Sequence, residues 1–307
     1  MILNIIFINS ALILACFLLS LALFPFSLRV SSKIGAIDLP SARKIHTRPT
    51  ARAGGIAFFA SFSAFVSLAR LDSPSFQLSF LIGGAIIFLV GLFDDVRGLS
   101  PFQKIAGQIA AASVPVFFGM TSYSGEVSHS TVLWSAVSVL WILFLTNAIN
   151  LSDGVDGLAA GSSVSFALTL AIFAFIIPES DVFWSALMLG ASLLGFLPHN
   201  KHPARIFMGD CGSLFVGYSL SLLSLRWFSL SPSVINALAV ILLFFVPVSD
   251  TLQSFFRRIR RGKSPFAADK EHLHHKLLSH GFSPQCTSLA MITISAFFEF
   301  VAVLLLN

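Results

Sequence analysis

Charge is what this sequence has least of. Only 11% of its 307 residues are Asp, Glu, Lys or Arg, against about 25% in soluble domains. Acidic residues number 14 and tyrosines two, although phenylalanine reaches 33. Such a chain cannot cover a globular surface with polar groups, so a water-soluble domain is excluded. Three cysteines (Cys16, Cys211 and Cys286) are an odd number without framework spacing, which argues against disulfides and thiolate zinc sites. There is no GxxxxGKS/T phosphate loop. The net charge of +5 has no soluble basic domain to carry it toward nucleic acid, so no nucleic-acid partner is expected.

What is present is long apolar sequence. Hydrophobic residues make up 56% of the chain, and the mean hydropathy is +0.87. A bilayer core about 30 Å thick takes roughly 20 apolar residues per helix. Apolar runs between polar punctuation predict ten spans, near 2–26, 54–70, 76–93, 102–119, 132–149, 158–177, 182–198, 212–228, 234–251 and 285–305. Several are short, so one or two half-helices are expected among them. The first run lacks a basic n-region and exceeds the roughly 7–15 apolar residues of a signal peptide, so it reads as a retained span. The expectation is an all-α integral membrane protein, a single polytopic domain over 1–307 with about ten transmembrane helices.

Positive charge sets the orientation. With the N-terminus outside, the inner segments are 27–53, 94–104, 150–157, 199–211 and 252–284. They hold seventeen of the 19 lysines and arginines, leaving Arg70 and Arg226 outside. Cytoplasmic loops are the basic ones, so both termini are expected outside.

Every chemically rich segment then falls on the inner face. "GLFDDVRGLSP" (91–101) ends a span with adjacent carboxylates, Asp94 and Asp95. On a helix these diverge by about 100°, so at most one faces any given target. A solvated helix end would explain them; a cation to face explains two together better, since acids gain nothing beside anionic headgroups. "NLSDGVDGL" spaces Asn150, Asp153 and Asp156 three apart, on one face if helical, or in a Gly-rich turn. "FMGDCGS" puts Asp210 at the start of a span, where it also suits a helix N-cap. "HLHH" supplies His272, His274 and His275 in an Arg-rich loop; their alternation splits the ring directions, so phosphate suits them better than zinc. For most of Arg257, Arg258, Arg260, Arg261 and Lys263, anchoring at an anionic leaflet is sufficient explanation.

Together these are oxygen ligands beside cations on one membrane face, the donor set of Mg2+, or alternatively Mn2+. Mg2+ with cationic side chains is the apparatus of phosphoryl transfer. A transporter would instead place ionisable groups at mid-span and show an internal repeat. The spans at 54–70, 158–177 and 234–251 have uncharged centres, and no repeat is visible.

These segments, with "KIHTRPTARAGGIAF" in the first inner loop, "IFMGDCGSL" and "RRIRRGKSPFAADKEHLHHKL", resemble in order the polyprenyl-phosphate N-acetylhexosamine-1-phosphate transferases, glycosyl transferase family 4. The resemblance runs from about residue 38 to 281. It implies transfer of a sugar 1-phosphate from a UDP-N-acetylhexosamine to undecaprenyl phosphate, with release of UMP, at the cytoplasmic face of a bacterial inner membrane among its lipids. It further implies Asn150 and Asp210 as Mg2+ ligands, and Asp94 or Asp95 as the group that orients or deprotonates the lipid phosphate. Asp153, Asp156, Asn200 and Phe207 would line the uridine pocket. Lys44, Lys104, His272, His274 and His275 would hold phosphate or sugar.

Lys276 follows His275 where phospho-MurNAc-pentapeptide translocase typically carries a further His. The pattern therefore resembles the branch that starts O-antigen, common-antigen or teichoic-acid chains, using N-acetylglucosamine or a 6-deoxy relative. The translocase itself and a non-catalytic lipid-phosphate carrier are the alternatives. The CDP-alcohol type of phosphotransferase is set aside, because "DGVDGLAAG" lacks the Arg of its signature. The sequence leaves a homodimer open.

Overall fold

The computed structural model of the protein describes residues 2–40, 48–120, 129–262 and 271–306. The chain runs through α1 (Ile2–Ala22) and α2 (Phe24–Ile34) into a small hairpin, β1 (Ile37–Asp38) and β2 (Thr50–Ala51). Next come α3 (Gly55–Leu68), α4 (Pro74–Leu78), a π-helical turn (Ser79–Gly83) and α5 (Gly84–Arg97). Then follow α6 (Pro101–Phe117), α7 (His129–Ser152), α8 (Leu158–Ile176), α9 (Ser180–Asn200) and α10 (Gly209–Leu230). The chain ends with α11 (Val234–Leu243), α12 (Phe245–Arg260), α13 (Leu273–Ser279) and α14 (Pro284–Leu304). It is an all-α multi-pass membrane fold, and among the described residues its strands are the two-residue β1 and β2.

Each of the ten apolar runs is helical, but they are not ten equal spans. Among the described residues, six helices are long and apolar enough to cross a membrane, or seven counting α11 and α12 as one bent pair. The run at 234–251, expected as one straight span, breaks at Phe244, and its halves meet at 81°. Pro247 explains the break: it offers no N–H to the Leu243 carbonyl, and its ring crowds that oxygen. Beyond the bend, α12 continues to Arg260, with Leu252, Phe255, Phe256 and Ile259 exposed.

α10 falls short on apolarity for a different reason. From Cys211 to Ser224 every residue is buried, so this helix faces other helices rather than lipid. It packs against α3, α5, α7, α8 and α9. Ser213, Ser221, Ser224 and Ser229 return hydrogen bonds to their own helix, as Ser213 does to the Gly209 carbonyl at 3.0 Å. Edge-on phenylalanines fill the space around it: Phe62 meets Phe80 at 5.3 Å and Phe215 at 5.7 Å between centroids. In α14, the buried Glu299 accepts hydrogen bonds from Ser165 (2.6 Å) and Thr169 (2.7 Å) of α8, fastening the last helix to the bundle.

The two ends of the bundle differ in chemistry. At one end, Asp181 accepts the backbone N–H groups of Asp72 (2.6 Å) and Ser73 (2.9 Å), and Arg226 pairs with Glu179 at 2.8 Å. At the other end the inner segments meet. Ala51 pairs with Ile37 and also bridges Ile206 in parallel. Phe207 N–H donates to the Ala51 carbonyl at 2.8 Å, and Gly54 N–H to the Phe207 carbonyl at 3.0 Å. The first inner segment is thereby stitched to the fourth.

Candidate active site

The site is built around the first turn of α10. A helix start leaves backbone N–H groups without partners, and an anion there is favoured. Asp95, from the last turn of α5, supplies it: Oδ1 accepts the Asp210 N–H and Oδ2 the Cys211 N–H, each at 2.9 Å. Arg52 approaches the same carboxylate at 2.9 Å, and the Asp95 side chain is fully buried. Two glycines permit this closeness. A Cβ on Gly91 would strike the Asp210 backbone, and one on Gly209, at φ 73°, would strike the Arg52 carbonyl and Asp95.

Asp94 points elsewhere, as its helical offset requires. Its Oδ1 accepts the Leu99 N–H at 2.6 Å, and its Oδ2 pairs with Lys104 at 2.9 Å. Lys104 rides on α6, whose start is fixed by a capping box between Ser100 and Gln103. Its ammonium also bonds Asp210 Oδ2 and lies 3.5 Å from Asn150 Oδ1. Asn150 in turn donates to Asp210 Oδ1 at 3.0 Å and to Ser213 at 2.8 Å. One cation is therefore held by Asp94, Asp210 and Asn150, which come from α5, α10 and α7.

Burial works against the charge on Asp210. The hydrogen bond it shares with Asp94, the Lys104 ammonium and the Asn150 amide outweigh burial and hold its carboxyl below the usual carboxylate range. Asp153 is the opposite case. It lines the cavity with no cationic partner at contact among the described residues, and burial, then the charges of Asp210 and Asp95, push its carboxyl well above that range.

Beside this cluster opens a cavity of ≈ 1090 Å³, at the upper end of the roughly 300–1,000 Å³ typical of ligand pockets. Asn150, Asp153, Asp156, Asn200, Phe207, Asp210 and His275 line it, as do Arg48, Arg52, His202 and Arg205. Asp156 Oδ2 bonds His202 Nδ1 at 2.8 Å and the Ala204 N–H at 3.0 Å. Asn200, 2% exposed, ties two segments together: it accepts the Gly157 N–H at 3.2 Å and donates to the Ile206 carbonyl at 3.0 Å. Arg205 extends from the rim over the Phe24 ring, 4.7 Å from its centroid.

The histidines separate into different positions. His272 is buried and bonded through Nδ1 to Asp250 at 2.9 Å, and Asp250 also accepts the Leu273 N–H at 2.8 Å, capping α13. His274 is buried with its ring against Gly154. Burial first, then the neighbouring His275 and His272, pull its pKa down to about 4, with Asp250 opposing. Only His275 of the three lies on the cavity wall. Lys44 lies outside the described residues.

The structure thus gathers Asp94, Lys104, Asn150 and Asp210 into one cluster and sets Asp153, Asp156, Asn200, Phe207 and His275 around the adjoining cavity. Sequence reasoning did not single out Arg52, His202, Arg205 or Asp250. Arg52 stands inside a quoted motif and Arg205 just before another, but both look like ordinary inner-face positive charge, and Asp250 falls within the ninth apolar run.

The cluster also has the donor set of a metal site. Two carboxylates and a carboxamide already surround one cation, with no thiolate or imidazole. That set suits a hard divalent ion that completes its shell with substrate phosphate and water. Among the described residues no three His, Cys, Asp or Glu side chains form an all-protein cage.

Comparison with known proteins agrees with this chemistry. Residues 77–228 match the model of glycosyl transferase family 4. The chain is 38% identical to the "Probable undecaprenyl-phosphate N-acetylglucosaminyl 1-phosphate transferase" of Bacillus subtilis, over 93% of this chain and 81% of that relative. It is 38% identical to the decaprenyl-phosphate N-acetylglucosaminephosphotransferase of Mycobacterium tuberculosis, over 83% of this chain and 72% of the relative. It is 29% identical to the undecaprenyl-phosphate alpha-N-acetylglucosaminyl 1-phosphate transferase of Escherichia coli, over 92% and 80%. With its acid–lysine cluster, its arginine-walled cavity and relatives aligned over most of their length, this chain belongs to the polyprenyl-phosphate N-acetylhexosamine-1-phosphate transferase family.

Proposed function

We propose that this protein transfers N-acetylglucosamine 1-phosphate from a UDP-sugar to undecaprenyl phosphate, releasing UMP and starting a surface polysaccharide such as O-antigen. The observation that carries the reading is the Asp94–Lys104–Asp210–Asn150 cluster opening into a cavity with Arg48, Arg52 and Arg205 on its walls. The names of the relatives support N-acetylglucosamine as the sugar. The preferred topology is ten spans with both termini outside, which turns the cavity toward the cytoplasm and the lipid phosphate toward it from the inner leaflet of a bacterial plasma membrane.

Asp210 and Asn150, with Asp94 beside them, would hold Mg2+, which when bound neutralises charge on the diphosphate. The remaining roles fall to the chain's own groups. A lipid phosphate oxygen attacks the β-phosphorus in line; a new P–O bond forms there as the bond to the bridging oxygen of UMP breaks. A lipid phosphate that arrives with its last proton, of pKa near 6, passes it to Asp94. Lys104 neutralises the acids in the free enzyme and turns to phosphate when substrate enters. Asp95 does not face the substrate; it holds the first turn of α10, and hence Asp210, in place. Phe207 offers a face to the base, the arginines steer the diphosphate, and His275 faces the sugar or its phosphate. Asp250, His272 and His274 set the position of His275.

Purified protein with undecaprenyl phosphate and Mg2+ should release UMP from UDP-N-acetylglucosamine. The donor panel should include its 6-deoxy relatives and UDP-MurNAc-pentapeptide, whose preferential use would move the protein to the peptidoglycan branch. No release from any donor by folded protein would leave a non-catalytic carrier.

A further inference from the structure

The segment 199–207 enters the cavity as a clamped loop, closed by the Arg205 N–H on the His199 carbonyl at 2.9 Å and by Asn200 on the Ile206 carbonyl at 3.0 Å. His202 and Phe207 on this loop both line the cavity. A flat aromatic face holds any base and does not choose among them. Choice needs a polar atom at the edge of the base, because a mispaired analogue then leaves buried polar groups without partners.

The loop offers few such atoms. Asn200 is spent at both ends, on Gly157 and Ile206. Arg205 has only donors and lies over Phe24. His202 remains, and its orientation is set from behind. Its Nδ1 lies 2.8 Å from Asp156 Oδ2, which also takes the Ala204 N–H, while Ser288 donates to the Asp156 carbonyl at 2.8 Å. A carboxylate accepts only, so Nδ1 carries a proton, and in the singly protonated ring Nε2 keeps its lone pair. The carboxylates on the cavity wall can only accept; His202 adds an imidazole nitrogen on the same loop as the stacking face.

We propose that His202 selects the base of the donor nucleotide: Nε2 accepts the N3–H of uracil, a position at which cytosine carries a lone pair instead. The inference rests on the reading of the donor as a uridine diphosphate sugar. Asp156 is then a positioning residue that fixes the tautomer, rather than a direct ligand of the base.

The test is calorimetric titration of the purified full-length protein with UMP and with CMP, read as the ratio of the two affinities. A ratio within one sample does not depend on the folded fraction. Wild type should prefer UMP by roughly tenfold or more, the worth of one buried hydrogen bond made or left unmade. H202A should bring the two within about threefold, mainly by weakening UMP. H202Q, whose amide can turn either an oxygen or an NH2 to the base, should do the same. D156A should also lose the preference with His202 still present, because nothing then holds the ring proton on Nδ1. A wild-type ratio in both H202A and H202Q overturns the proposal. So does a D156A protein that keeps the full preference. Binding of neither nucleotide to wild type removes the uridine-donor reading, and the proposal with it.

Discussion

Replacing each of the two adjacent aspartates by asparagine should separate framework from chemistry. Asp95 takes three bonds at 2.9 Å, from the Asp210 and Cys211 N–H groups and from Arg52. An asparagine there can keep one N–H on its single oxygen. Its NH2 group then meets the other N–H donor to donor, and the Arg52 guanidinium loses its anion. One buried donor left unmade costs about 1–3 kcal/mol, and breaking a buried charge pair about 3–5 kcal/mol. Arg52 is 32% exposed, so water recovers part of the second figure. The expected total is about 3–5 kcal/mol, or roughly 10 °C in unfolding temperature for a chain of this size.

Asp94→Asn is milder, because an amide oxygen still accepts the Leu99 N–H and Lys104 keeps Asp210 as partner. Its unfolding temperature should stay within about 3 °C of wild type. Its turnover should fall by roughly 10²–10⁴, the usual worth of a proton-handling group. The assay pairs thermal unfolding in detergent with UMP release measured well below either transition. An Asp95→Asn protein as stable as wild type, with a turnover loss equal to that of Asp94→Asn, would refute the division.

Three further outcomes follow from the same geometry. Lys104→Met removes the ammonium that shares Asp94, Asp210 and Asn150 with any incoming metal, so Mn2+ should bind the substrate-free variant more tightly by electron paramagnetic resonance while turnover is lost; weaker binding would contradict the shared site. His274 is held near a pKa of about 4 against the ordinary 6.5. The unfolded chain therefore takes up its proton first, and stability is complete above pH 6.5 and declines as pH falls toward 4, by up to about 3 kcal/mol. The unfolding temperature of wild type should fall more steeply from pH 7 to 5 than that of His274→Gln, and equal slopes would refute this. Cys286 is exposed while Cys16 and Cys211 are buried, so an impermeant maleimide should label Cys286 alone, in inverted vesicles and not in intact cells; labelling from outside would reverse the topology.

Much of this was legible in the sequence because it rests on one-dimensional regularities. Apolar runs gave the helices, the excess of positive charge gave a common face, and ordered motifs gave Asp94, Lys104, Asn150 and Asp210. The angular argument that adjacent acids must diverge also holds, since Asp94 goes to Lys104 and Asp95 to α10. Where Asp95 goes was not legible. Its partners are backbone N–H groups more than a hundred residues away, and every residue type except proline carries an N–H. Asp250 was hidden for the same reason, because it caps α13 through the Leu273 backbone. The break in the ninth run was ambiguous rather than invisible. Pro115 and Pro198 sit inside α6 and α9 without dividing them, so a proline in an apolar run does not by itself tell a break from a continuous helix.

The histidine motif shows how spacing limits function. His272 precedes α13 as its N-cap residue, and His274 and His275 occupy successive positions within the first turn. Successive helical positions differ by about 100°, so the rings, though within 6.4 Å of one another between centroids, face different partners. They divide instead: His272 turns to Asp250, His274 wedges against Gly154, and His275 reaches the cavity. Two of the three act on the position of the third. The wedge also sets α13 against the turn that carries Asp153 and Asp156. A motif that reads as three equivalent ligands is, in this fold, one side chain on the cavity wall and two joints between loops.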